Sequence, residues 1–172
     1  MLTLRLVPRT EIDTITLERL WSEAYPYIDD EIERMGEETL KSKLFDLQDY
    51  PIIKYEVDGY TVGMASTSIK YFEGKNYLFY RFALFGCDQT GSRSWFYSED
   101  NQRDIYQILK TENLAGLIIV QNPNDKVTKA STVHLGAFNK YLKPVRYVDQ
   151  KEAKLLLLDD TLVICVYDIL EE

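Results

Sequence analysis

Residues Tyr77–Trp95 read YLFYRFALFGCDQTGSRSW. The first ten, Tyr77 to Gly86, are apolar on both faces apart from Arg81, which predicts a strand central in its sheet. The rest, Cys87 to Trp95, is small, polar and rich in hydroxyls, and helix-compatible sequence follows. Two readings of that loop compete. In one, Asp88 and Thr90 make a turn, Ser92 or Ser94 caps a helix and Arg93 is a solvated charge. In the other the loop holds an anion. Backbone N–H groups at a helix start lack internal partners and carry partial positive charge. Gly91 lets an anion approach the main chain, Thr90, Ser92 and Ser94 add hydroxyls, and Arg93 adds a charge-assisted bond. On the loop alone the turn-and-cap reading is favoured, because a lone Gly among hydroxyls is a common helix entry.

Upstream, Met1 to Val7 alternates as a short strand closed by Pro8, and Thr10 to Ala24 has helical spacing through Ile12, Ile15, Leu17, Leu20, Trp21 and Ala24. Asp29 or Asp30 caps a second expected helix running to Asp46, with Gly36 as its weak point. The period then changes. PIIKYEV, an Asp58-Gly59 turn and YTVGMASTSIKYF predict a hairpin, and the polar turn Glu73 to Asn76 leads into Tyr77. Downstream of the loop, polar YSEDNQRD delays the next helix to near Ser98, and it runs to about Asn113. LAGLIIVQ (114–121) is a compact buried strand. Asn124 or Asp125 starts a helix to about Leu135. VRYVDQ, KLLLLDD and TLVICVYDI read as late strands, the last two joined at Asp159-Asp160. This order predicts an α/β domain with a mixed, mostly antiparallel sheet of about seven strands and helices on both faces.

The bulk numbers narrow the function classes. There are 28 acids against 20 bases, for a net charge of −8. No basic stripe of the kind duplex nucleic acids require is visible, so no nucleic-acid partner is expected. A cationic amine, small or on a protein, suits this field better. No run of about 18 apolar residues marks a membrane span, and MLTLRLVPRTEID has no apolar signal core. Cys87 and Cys165 lie far apart beside apolar stretches and read as buried, reduced thiols, which places the expected home in the cytoplasm. With His134 they show no zinc-ligand spacing, so no metal is expected. No Walker loop, GxSxG elbow or dinucleotide glycine motif occurs.

The chain-wide element order, βααβββαβαββ over residues 1–172, resembles the GNAT superfamily of acyl-CoA N-acyltransferases. In that family the loop between the fourth strand and third helix carries R/Q-x-x-G-x-G/A and holds the pyrophosphate of acetyl-CoA. Gln89 falls on the first position of that pattern, Ser92 on the first Gly and Ser94 on the final small residue, with Gly91 one place early. VQNPND followed by HLGAF is similar to the family's fifth strand, fourth helix and Gly-Phe ending, and VDGYTVGMAS to its second-to-third strand turn. The resemblance implies a single domain that uses acetyl-CoA as co-substrate. It implies that Gln89, Thr90, Gly91, Ser92, Arg93 and Ser94 hold phosphate, that Leu84, Phe85 and Asn122 flank the pantetheine arm, and that Asn124 contacts that arm or starts the helix.

For acetyl transfer a neutral amine must sit against the thioester carbon, and N–H groups around Phe82 to Phe85 would face the carbonyl oxygen. Asp88, Glu56 or water relayed through Tyr80 are the candidate bases, and His134 has the intrinsic range for proton transfer. Tyr80 and Tyr141 are candidate acids. Thr132 stands where the family often has a tyrosine, and a hydroxyl of that kind is a far poorer acid than a phenol. Serines replace most of the loop glycines, and the fourth strand has no carboxylate. These departures favour a second reading, a GNAT-like binding or assembly protein without catalysis, with the look of a phage-encoded relative. Whether two copies form a homodimer stays open.

Overall fold

The computed structural model describes residues 2–46, 51–85, 99–121, 141–148, 151 and 163–169. Its elements are β1 (Leu2–Val7), α1 (Thr14–Ala24), α2 (Asp29–Met35), α3 (Glu37–Phe45), β2 (Ile52–Val57), β3 (Tyr60–Phe72), β4 (Lys75–Phe85), α4 (Glu99–Thr111), β5 (Gly116–Gln121), β6 (Leu142–Val148) and β7 (Val163–Ile169). The strands form one sheet in the order β1-β2-β3-β4-β5-β7-β6. Four of its pairs, β1–β2, β2–β3, β5–β7 and β6–β7, are antiparallel, and β4–β5 is parallel. The mixed, mostly antiparallel sheet expected from the element order is present. Residues 1–67 with 82–101 make one compact unit, and residues 68–81 with 102–172 another.

In the first unit, Leu17, Leu20, Trp21 and Ala24 recur at helical spacing on α1, and all are buried. They pack with Val7, Ile52, Met64, Leu84 and, from α3, Leu40 and Leu44. Burying one such leucine contributes roughly 1.5–3 kcal/mol. The helix begins later than its periodicity suggests. Arg9–Glu11 form a turn of 3-10 helix, and Asp13 caps α1 by accepting the Thr16 N–H at 2.7 Å. That bond holds the Asp13 carboxyl below its ordinary range.

The expected single helix from Asp29 to Asp46 is two. Gly36 stands between α2 and α3 at φ 84°, where the left-handed backbone ends one helix and starts the next. Its N–H donates to Ile32 O, and its carbonyl accepts from Leu40 N–H.

The buried side chain of Arg9 closes the end of α3. Its guanidinium donates to the carbonyls of Leu44 (3.0 Å), Phe45 (3.0 Å) and Ile12 (3.3 Å). Carbonyls in the last turn of a helix have no internal partner, so a fork of N–H donors suits them. Burial pulls the Arg9 pKa down from its ordinary value, and Asp46 works against that shift.

The second unit is set by the register around β5. Gly116 lies opposite Tyr77 of β4 and Asp168 of β7. A Cβ at Gly116 would stand 1.9 Å from the Tyr167 carbonyl oxygen, so no other residue fits there without main-chain movement. Phe72, Tyr77, Phe79, Ile118 and Val166 form the buried cluster beside it. On α4, Ile105 and Leu109 are buried. The helix stops at Asn113, whose φ of 56° is a left-handed cap, with the Leu114 N–H returning to Leu109 O.

At the end of the chain β7 has β5 on one edge and β6 on the other, from Leu142↔Ile169 to Val148↔Ile164. KLLLLDD, expected as a strand joined to TLVICVYDI at Asp159-Asp160, lies outside the described residues. The strand expected at VRYVDQ starts earlier, at Leu142, with a register shift between Pro144 and Arg146 that accommodates the proline.

Candidate functional site

The parallel pair β4–β5 defines the candidate site. Its register runs from Tyr77 opposite Gly116 to Tyr80 opposite Ile119. Ligands on sheets with parallel strands bind outside the carboxyl ends of those strands, which here means beyond Tyr80 and Ile119. β4 continues to Phe85 and β5 to Gln121. The phosphate-loop candidates Gln89, Thr90, Gly91, Ser92, Arg93 and Ser94 follow β4 in the chain, and α4 begins after them, at Glu99.

Of the residues singled out from sequence, Tyr80 lies on β4 and is buried, with 5% exposure. Leu84 is also buried and belongs to the core of the first unit, among Ile52, Met64 and Leu20. Phe85 is the last residue of β4. Glu56 is on β2, where its Oε1 accepts from Arg5 Nε (2.9 Å) and Nη2 (2.6 Å). Those bonds raise the Arg5 pKa, and they give Glu56 a structural partner on the β1–β2 pair. Tyr141 packs against Tyr106 with ring centroids 5.4 Å apart. Asp88, Gln89, Thr90, Gly91, Ser92, Arg93, Ser94, Asn122, Asn124, Thr132 and His134 lie outside the described residues, as does Cys87.

The structure adds a polar group that sequence reasoning missed. The buried Tyr77 hydroxyl donates to Asp168 Oδ1 at 2.7 Å, and Lys75 Nζ stands 3.7 Å from Asp168 Oδ2. Burial, then the bond to Asp168, pushes the Tyr77 phenol up to about 12. The partners are 91 residues apart in the chain, and no local pattern signals them.

Among the described residues no group of three or more His, Cys, Asp or Glu could hold a metal ion. No described helix is long and apolar enough to cross a membrane.

No protein-family model matches the chain, and no curated protein does. Solved structures do. A probable acetyltransferase from Staphylococcus epidermidis superposes with a TM-score of 0.58 at 15% identity, covering 99% of this chain and 100% of that one. An N-acetyltransferase from Staphylococcus aureus gives 0.59 at 8% identity, over 99% and 97%. A GNAT-family acetyltransferase from Streptococcus agalactiae gives 0.57 at 15%, over 99% and 96%. At such identities the likeness is one of fold.

Proposed function

From the premise that the chain has the GNAT fold, we propose that it is an N-acyltransferase transferring the acetyl group of acetyl-CoA to an amine. The observation that carries this reading is the parallel β4–β5 pair, running from Tyr77↔Gly116 to Tyr80↔Ile119, in a sheet of that order. Its carboxyl ends and the loop entering α4 are where the resemblance puts the thioester and the diphosphate.

In the reaction the neutral amine nitrogen bonds to the thioester carbonyl carbon, and the C–S bond breaks. The amine gives up a proton, the departing thiolate takes one, and the products are an N-acetyl amine and coenzyme A thiol. On this reading N–H groups of Phe82 to Phe85 polarise the carbonyl, and Tyr80 relays a proton. The net charge of −8 supports a cationic acceptor. A cytoplasmic setting belongs to the same proposal.

A second reading, binding without catalysis, has one specific observation in its favour. β4, Lys75–Phe85, carries no carboxylate to accept the proton of an attacking amine.

Acetyl-CoA titrations with thermal denaturation, followed by thiol release in the presence of a polyamine or a lysine-rich peptide, separate the two. At a concentration about 100 times its dissociation constant, a ligand stabilises by about 2.7 kcal/mol. Stabilisation with thiol release supports the enzyme, and stabilisation alone supports the binding protein. No stabilisation at millimolar acetyl-CoA sinks the acyltransferase reading.

A further inference from the structure

The second unit has a cleft at the end of β4–β5 remote in sequence from the loop before α4. It measures about 540 Å³ and lies where the start of β4, the end of α4, the start of β5 and the end of β7 meet. That is within the size range of small-molecule sites. Its polar side chains are Lys75, Asn76, Lys110, Asn113 and Asp168.

The main chain around the cleft is largely committed. Ala115 N–H donates to Asn76 O at 2.8 Å, Ile169 N–H to Ala115 O at 3.1 Å and Asn113 N–H to Lys110 O at 3.2 Å. Recognition therefore falls to side chains. Asp168 is held by the buried Tyr77 hydroxyl on Oδ1, which leaves Oδ2 with Lys75 at 3.7 Å, an ion pair too long for a hydrogen bond. Because the Tyr77 phenol is pushed up to about 12, it remains a donor to Asp168 throughout the neutral range. Lys110 lies over the Tyr106 ring at 5.9 Å, and among the described residues no carboxylate pairs with it. Leu114, Ala115 and Ile169 supply apolar lining.

The cleft thus offers both signs of charge beside an apolar wall. Two lysines stand against one aspartate, a local excess of positive charge in a chain of net charge −8. A bare anion would face Asp168, and a bare amine would face two ammonium groups. A zwitterion answers both. We propose that this cleft binds a free amino acid with a small aliphatic side chain, its ammonium on Asp168 Oδ2 and its carboxylate on Lys110 with the Asn76 and Asn113 amides. The site is independent of the acetyl-transfer reading and stands whether or not acetyl-CoA binds.

The probe is L-leucine, compared with N-acetyl-L-leucine, which keeps only the negative charge, and L-leucinamide, which keeps only the positive one. Binding is read by amide chemical-shift titration of the full chain. L-leucine should shift the amides of Asn76, Asn113 and Ala115 and bind at least about tenfold more tightly than either half-charged analogue, since each analogue leaves a charged group of the cleft without its partner. Lys110→Gln, at the end of a helix and compatible with folding, should weaken L-leucine by about the same factor, and Asp168→Asn should do so where its spectrum stays folded. No shift at millimolar L-leucine overturns the proposal. So does equal binding of either analogue, or L-leucine affinity unchanged in Lys110→Gln.

Discussion

The two compact units solve the problem of a tight interior in different ways. In the first, helices and strands meet through interleaved aliphatic and aromatic side chains, with Leu20 and Leu44 almost fully enclosed. Among the described residues its buried cation is Arg9, which donates to main-chain carbonyls. In the second, strands approach so closely at Gly116 that a side chain has no room. One of its buried polar groups, the Tyr77 hydroxyl, is satisfied by the carboxylate of Asp168. Side-chain packing tolerates adjustment, because rotamers can move and neighbours can fill part of a void. Main-chain contact does not, because moving a carbonyl means moving a strand. The second unit should therefore be the more brittle of the two.

The sharpest way to break this comparison is Gly116→Ala. With a carbonyl oxygen 1.9 Å from the new Cβ, the substitution should cost roughly 3 kcal/mol or more, at the upper end of overpacking penalties. Urea denaturation that showed a loss under about 1 kcal/mol would mean that the strands can part cheaply.

Arg9→Met tests the first unit. It removes the donors of three carbonyls but keeps an apolar stem that fits the surrounding core. A loss of about 2 kcal/mol is expected, since each buried acceptor left alone costs about 1–3 kcal/mol and neighbouring losses do not add fully. If Arg9→Met is neutral, solvent replaces the guanidinium, and the first unit is more open than its burial indicates.

The smallest effect concerns pH. The Tyr77 phenol keeps its proton to about 12 in the folded protein, against about 10 in the unfolded chain. Between those values the folded state binds more protons than the unfolded one, so stability falls as pH rises. The contribution is fully present below about 10 and is lost through about 12. In Tyr77→Phe this part of the decline should vanish, so the stability gap to the wild type should narrow across that window. Parallel curves would remove Tyr77 from the account.

Much of this architecture was legible in local sequence because it is encoded locally. The Asp58-Gly59 and Glu73-Gly74 turns, where all four residues have positive φ, mark two hairpin tips by composition alone. The apolar run from Tyr77 identified an interior strand. Gly36 was visible as a weak point, but periodicity across it concealed that it separates two helices. No local pattern marks Arg9 as a buried cap, since its carbonyl partners at Leu44 and Phe45 lie 35 and 36 residues away. Most of the candidate site rests on resemblance rather than on local pattern. Of its residues Glu56, Tyr80, Phe82 to Phe85 and Tyr141 fall among those described, and the loop, Thr132 and His134 do not. The Lys75–Tyr77–Asp168 group went unseen because only tertiary folding brings the end of β7 to the start of β4.

The outermost strands carry one more consequence. A free strand rim invites another chain to add itself, the first step toward insoluble fibrils. On β6, Pro144 has no N–H to offer such a newcomer, and the irregularity between Pro144 and Arg146 breaks the even spacing that it would need to dock. On β1, the exposed Arg5 places a charge on the opposite rim. The proline that shortens the regular pairing of β6 thus also guards the chain against self-templated stacking at high concentration.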